Sequence, residues 1–281
     1  MINFLHTFTP NPILISFGPF HIFWYGMFIV LGILAALAVA LKLSGYYHVS
    51  KEDVIDIAFY LIIGGVVGAR IYAVLLYFSY YAQRPMEILK VWNGGLAIHG
   101  AIIAGILVML GYAKLKKINF WLLAALTVPG LALAQTLGRW GNYFNQELYG
   151  RPTNLPWGIP IAPLSRQPDF FSFQYFHPTF LYESLGSLAI FAILIYLHYL
   201  VIKKQRFNFE QIVFAYLIMY SLLRFAMETL RVDSTPELLG LRWPQIVSII
   251  IVFFSIGWLI KNKREIVPSP SPEPQPPLAK K

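Results

Sequence analysis

No cysteine occurs among the 281 residues. That excludes disulfides, thiolate metal ligation and a cysteine nucleophile belonging to this chain. Charge is scarce as well: 12% of residues are Asp, Glu, Lys or Arg, against roughly 25% in a soluble domain. With so little polar surface available, a hydrophobic fraction of 57% cannot be coated for life in water. The six histidines show no paired ligand spacing, so no metal and no other cofactor is expected. What remains is apolar and basic, with a mean hydropathy of +0.60 and a formal net charge of +9. The basic residues fall in short clusters between apolar runs. That pattern fits membrane topology rather than a groove that tracks nucleic-acid phosphates, and no nucleic acid is expected as a partner.

A bilayer core takes about 20 apolar residues per helix. On that period the chain reads as an all-α integral membrane protein with about seven spans, near 19–41, 54–76, 91–113, 119–140, 178–200, 210–230 and 243–260. No lysine or arginine precedes Lys42, so the first span lacks the basic flank of a signal peptide and is expected to stay attached. Residues 141–177 contain Pro152, Pro156, Pro160, Pro163 and Pro168. They read as a long ordered loop between spans four and five, with Trp157 near the interface. Residues 1–265 form one polytopic domain in this reading, and 266–281 a disordered proline-rich tail. No internal repeat stands out.

Orientation follows from the basic residues. One set of loops and the tail hold Lys42, Lys51, Lys114, Lys116, Lys117, Lys203, Lys204, Arg206, Lys261, Lys263, Arg264, Lys280 and Lys281. The other set holds only Arg84, Lys90, Arg151, Arg166, Arg231 and Arg242. Thirteen against six places the N-terminus outside, the C-terminus in the cytoplasm and the long loop outside.

Ionisable groups at membrane depth cost at least about 2.5–3.5 kcal/mol each on insertion scales, so each is a candidate for function. Arg70, His99, Arg139, Glu183, Arg224 and Glu228 all fall in the outer half, with His99 about two turns below the surface. Span six carries the most regular pattern. Tyr220, Arg224, Glu228 and Arg231 share an arc of roughly 80°, and Arg224 can pair with Glu228 at i,i+4. A helix-gluing salt bridge explains that pair, whereas the surplus of cation on the stripe suits an anionic ligand. The turn Gly138-Arg139-Trp140-Gly141-Asn142, followed by Asn145, Glu147 and Gly150, is dense in side-chain donors. Arg139 alone could merely neutralise a helix dipole. His99 is either a satisfied core residue or, facing arginines, a proton acceptor. Gly64, Gly65 and Gly68 read as a close-packing helix face.

Taken together, these motifs resemble the prolipoprotein diacylglyceryl transferase family of bacterial inner membranes, from about Gly18 to Gln245. The most specific stretch is Gly138-Arg139-x-Gly-Asn142-x-x-Asn145-x-Glu147-x-x-Gly150. Support comes from Gly94-Gly95…His99-Gly100, His177-Pro178-Thr179-x-x-Tyr182-Glu183, Tyr220…Arg224-Phe225-x-x-Glu228-x-x-Arg231, Trp24-Tyr25-Gly26 and Gly68-Ala69-Arg70. The chain departs from the family pattern at Ala101 and Gln146, where glycine is usual, and at Ala125, where aspartate is usual.

The resemblance implies transfer of an sn-1,2-diacylglyceryl group from phosphatidylglycerol to a lipobox cysteine in prolipoprotein signal peptides, releasing glycerol 1-phosphate. The active site would face the periplasmic side of the inner membrane. Arg139 and Arg224 are then expected to grip phosphate and stabilise the leaving group. Asn142, Asn145, Tyr25 and Tyr220 would orient the headgroup. His99 would take the thiol proton, unless a positive field lowers the thiol pKa without it. Glu228 would hold Arg224 and Glu147 would hold Arg139, with Glu183, Arg231, Arg70 and Gly150 in support. A transporter for an anionic solute is the rival reading, and it predicts polar residues through both membrane halves and a repeated architecture.

Overall fold

A computed structural model of the protein describes residues 2–262. Among them, seven helices are long and apolar enough to cross a bilayer. They are α2 (Trp24–Ser44), α3 (Lys51–Leu76), α5 (Ile98–Lys116), α6 (Phe120–Phe144), α7 (Thr179–Lys204), α8 (Phe209–Glu228) and α9 (Trp243–Lys261). Two short helices, α1 (Ile2–Thr7) and α4 (Phe78–Gln83), accompany them. Three two-stranded antiparallel ribbons complete the architecture: β1 (Ile13–Phe17) with β2 (Phe20–Phe23), β3 (Ile159–Pro160) with β4 (Tyr175–Phe176), and β5 (Glu237–Leu238) with β6 (Leu241–Arg242). The expected tail, 266–281, lies outside the described residues.

Helix starts follow local chemistry. Ser50 caps α3 by accepting from the Asp53 amide at 3.0 Å, and Asn119 caps α6 by accepting from the Trp121 amide at 2.7 Å. Asn208 and Gln211 form a reciprocal capping box at α8.

Several boundaries differ from expectation; the first span starts at Trp24 rather than near 19, because Phe20–Phe23 form a β-strand, and two other differences bear on the site. The third span starts at Ile98 rather than near 91, because Gly94 and Gly95 adopt φ of 85° and 69° and break any helix there. His99 therefore sits in the first turn of α5, not two turns in. The fourth span runs on to Phe144, so Gly138–Asn142 is helical rather than a turn. Gly141 permits this continuation, since a Cβ there would lie 2.6 Å from the Tyr25 ring.

The bundle is built around α6. Helix α2 lies against it where Gly130 meets Ala36 and Gly32 meets Ala134, and α7 and α8 pack on its other faces. Helix α3 pairs with α5 through Gly68 and Gly100, each of which would collide with the other's carbonyl if it carried a Cβ. Small residues at these crossings let backbones approach, which is how helices gain packing energy in lipid. The buried core includes Ile57, Leu123, Ala125, Ala132, Leu194 and Ile212.

A second cluster, with Leu5, Tyr143, Tyr149, Ile159, Phe176 and Phe180, holds the 145–178 loop over one end of the bundle. Helix α1 docks on that loop, where the His6 ring stacks on Tyr175 at 4.0 Å and bonds the Gly158 carbonyl at 2.8 Å.

Gly130→Val should overpack the α2–α6 crossing and cost about 1–3 kcal/mol, read as a lowered unfolding midpoint in detergent. Gly65, whose added Cβ would meet nothing within 4 Å, should accept alanine without loss.

Candidate active site

The ends of α6 and α8 and the beginnings of α7 and α9 meet beneath the 145–178 loop, and four arginines converge there on two glutamates. Glu183, in the second turn of α7, is 3% exposed and forms the hub. Its Oε2 lies 2.5 Å from Arg139 Nη2 of α6, and its Oε1 lies 2.5 Å from Arg231 Nη2, just past α8. Arg224 Nη1 of α8 stands 4.0 Å from the same Oε1. Glu228, 1% exposed, is the second anchor. Its Oε2 pairs with Arg224 Nη2 at 2.6 Å and its Oε1 with Arg242 Nη1 at 3.1 Å. Arg242 also reaches Asp233 at 3.5 Å. So Arg139 and Arg224, distant in sequence, share one carboxylate.

The i,i+4 pair of Arg224 and Glu228 has the geometry that its spacing predicts. The expected Glu147–Arg139 pair does not form directly. Asn142 stands between them, accepting from Arg139 Nη1 at 3.3 Å and donating to Glu147 Oε1 at 2.7 Å. Asn145 donates to the same carboxylate oxygen at 3.4 Å. Arg139 takes Glu183 as its carboxylate instead, because Glu183 is buried and needs a cation, whereas Glu147 is exposed to solvent.

The polypeptide between these residues is tightly held. Gln146 and Leu148 take φ of 53° and 56°, at a cost of about 1–2 kcal/mol for a side-chain-bearing residue. Here the Gln146 side chain offsets the strain, donating to the Pro10 carbonyl at 2.8 Å and accepting from the Ala162 amide at 2.7 Å. Gly150 forms a bridge with Arg231, and the Arg151 amide bonds the Leu230 carbonyl at 2.8 Å. A Cβ on Gly150 would stand 2.7 Å from His177 Cβ. Burial pushes the His177 imidazole below the usual histidine range.

Tyr25 packs on Gly141 and lies close enough to Arg139 and Glu147 to feel both charges. Tyr220 stacks on Tyr216 with ring centroids 5.8 Å apart, one turn before Arg224. A cavity of about 420 Å³ opens beside Tyr25 and Asn145, walled by Pro12, Ile22, Phe23 and Met27.

Two expected members stand apart from the arginine cluster. Arg70 is buried, but its guanidinium donates to the carbonyls of Glu87, Ile88, Lys90, Gly94 and Gly95 and lies 5.0 Å from the Tyr81 ring. It organises residues 85–97. His99 is exposed, with its ring 5.8 Å from that of Tyr72, and among the described residues it forms no hydrogen bond or ion pair to an arginine.

Arg242 and Asp233 are the members that sequence reasoning missed, Arg242 because it reads as a loop charge. A signal was present. A cation at the start of an apolar helix opposes the helix dipole, so it needs a carboxylate nearby. Among the described residues no cluster of His, Asp or Glu could hold a metal ion.

The sequence profile of the family described as prolipoprotein diacylglyceryl transferase matches residues 12–261. The chain belongs to that family. Among curated relatives, the phosphatidylglycerol–prolipoprotein diacylglyceryl transferase of Nostoc sp. is 45% identical, over 95% of this chain and 96% of its own length. Those of Fervidobacterium nodosum and Acaryochloris marina, bearing the same name, are 43% and 40% identical, over 86% and 92% of this chain and 81% and 94% of theirs. Membership in this enzyme family, with seven apolar helices, makes the chain a multi-pass membrane protein with a catalytic function. No anion-transport rival gains support from these matches.

Removing the hub charge should hurt more than removing the exposed one. Glu183→Gln leaves Arg139 and Arg231 without their carboxylate and should cost about 3–5 kcal/mol, while Glu147→Gln should stay within about 1 kcal/mol. A double-mutant cycle of Glu183 with Arg231, read by thermal unfolding in detergent, should return a coupling above about 1 kcal/mol.

Proposed function

We propose that the arginine cluster binds the phosphate of phosphatidylglycerol, and that the protein transfers its sn-1,2-diacylglyceryl group to the thiol of a lipobox cysteine in prolipoprotein signal peptides. One observation carries this reading: four guanidinium groups meet only three carboxylates, Glu183, Glu228 and Asp233, which leaves a surplus cation in a site shielded from bulk water. An anionic headgroup supplies the missing charge. Arginine suits the task, since its planar fork holds phosphate oxygens in two places and keeps its proton when desolvated.

Exposure divides the labour among the arginines. The side chains of Arg139 and Arg224 are 18% and 19% exposed, against 4% for Arg231 and 12% for Arg242. Arg139 and Arg224 are therefore the phosphate-binding and catalytic pair, and Arg231 and Arg242 hold the carboxylates that position them. Asn142, Asn145, Tyr25 and Tyr220 orient the headgroup around that pair, with Glu147 fixing both asparagines. Gly150 shapes the connection to Arg231, and Arg70 supports the segment that leads into α5.

In the reaction, sulfur attacks the glyceryl C3 carbon. An S–C bond forms, the C–O bond to phosphorus breaks, and glycerol 1-phosphate departs with the electron pair. Negative charge grows on the leaving oxygen, where preorganised guanidinium groups stabilise it most. The thiol proton goes to His99 or, under the positive field of the cluster, to solvent. The second route draws support from His99 forming no ion pair among the described residues. Sulfur is supplied wholly by the protein substrate, as the chain has no cysteine.

Orientation completes the proposal. The lysine-rich helix ends face the cytoplasm, and the arginine site with its 145–178 cap faces the periplasm. Residues 1–265 act as one membrane domain.

Purified protein incubated with labelled phosphatidylglycerol and a lipobox peptide should yield labelled peptide, and a Cys→Ser peptide should yield none. Absence of product with the cysteine peptide would overturn the assignment. Arg139→Lys and Arg224→Lys should each lower turnover by about 100-fold, and normal rates in both would remove them from the chemistry. His99→Gln tests the proton route. If His99 is the acceptor, its loss slows transfer and raising the pH restores part of the rate. If the field suffices, the rate barely changes.

A further inference from the structure

A second cavity, of about 620 Å³, lies between α2 and α7 at the end of the bundle away from the arginines. Lys42 follows Tyr25 by 17 residues on α2 and Lys203 follows Glu183 by 20 on α7, so the two sites are about 25–30 Å apart along the helices. The cleft exists because α2 and α7 both pack on α6 rather than on each other. Its walls are apolar, from Val39, Leu43, Phe191, Ala192, Ile195 and Ile202. In a bilayer such a cleft fills with hydrocarbon, since no water is available to wet it.

The rim differs from the walls. Lys42 and Lys203 flank the opening, with the amphipathic rings of Tyr46 and Tyr199 beside them. Neither lysine forms an ion pair among the described residues, whereas Lys116 at the same end is matched by Asp53 at 3.2 Å. The buried polar group at the floor is already engaged: His198 Nε2 donates to the Ala125 carbonyl at 3.0 Å, and its Nδ1 lies 2.7 Å from the Tyr47 hydroxyl. Apolar walls that take an acyl chain, below two unmatched ammonium groups at headgroup level, describe one kind of occupant.

We propose that the α2–α7 cleft is a binding site for an anionic glycerophospholipid of the leaflet bordering the lysine-rich loops. One acyl chain lies along Val39, Ile195 and Phe191, and the headgroup phosphate sits between Lys42 and Lys203. The volume falls within the roughly 300–1,000 Å³ of built ligand sites. The inference stands apart from the transferase reading, because it uses none of that site's residues.

The test reconstitutes the full chain in phosphatidylcholine nanodiscs with trace photoreactive lipid. The probe is phosphatidic acid or phosphatidylcholine with a diazirine in the acyl chain, and adducts are mapped by peptide mass spectrometry. Adducts on 39–46 and 191–203 should be about tenfold more abundant with the anionic probe. Lys42→Gln with Lys203→Gln should remove that preference while leaving transferase turnover unchanged. Ala192→Trp, which fills the cleft, should lower adducts from both probes. Equal labelling by the two probes, a preference that survives the double variant, or no adducts on these helices would each overturn the proposal.

Discussion

An ionised carboxylate taken out of water costs several kcal/mol unless cations meet it closely. Glu183 and Glu228 are both almost wholly buried, and the architecture around them follows from that need. Glu183 draws Arg139 from α6 and Arg231 from beyond α8; Glu228 draws Arg242 from the start of α9. Four helix termini are thereby fixed at one level. Hydrophobic burial cannot set such a level inside a bilayer, because lipid is as apolar as leucine. Charge does, and it places the densest chemistry of the chain where the helices end.

The arginines also differ in how far their donors are engaged, and the proposed reading turns on that difference. Arg231 is paired with Glu183, and Arg242 with Glu228, Asp233 and the carbonyls of Glu228, Arg231 and Asp233. Arg139 and Arg224 keep part of their donor edges open. Arg224 Nη1 is buried without a hydrogen-bond acceptor of its own, 4.0 Å from Glu183. Donors fixed before a ligand arrives need little reorganisation when charge develops, and that is the condition for effective electrostatic catalysis.

Much of this was legible in the sequence. Seven apolar stretches gave seven helices, and the spacing of Tyr220, Arg224 and Glu228 gave a stripe on α8, although the helix ends at Glu228 and Arg231 reaches the site from beyond it. Pairings between elements were not legible. Nothing local says that Glu183 rather than Glu147 takes Arg139, because the choice depends on which carboxylate the fold buries. Arg70 showed the same limit: its place late in α3 was readable, but its partners are carbonyls of a segment that the glycines keep from being helical. Two departures from the family pattern also become intelligible. Gln146 occupies a left-handed position and compensates through its own amide, while Ala125 accepts from His198 through its main-chain carbonyl.

The backbone bridge between Gly150 and Arg231, with the Arg151–Leu230 bond beside it, stitches the 145–178 segment to the tip of α8. Such a seam makes the cap and the bundle open as one cooperative unit. Its amides would exchange with deuterium on the timescale of the helices they join, not of a surface loop.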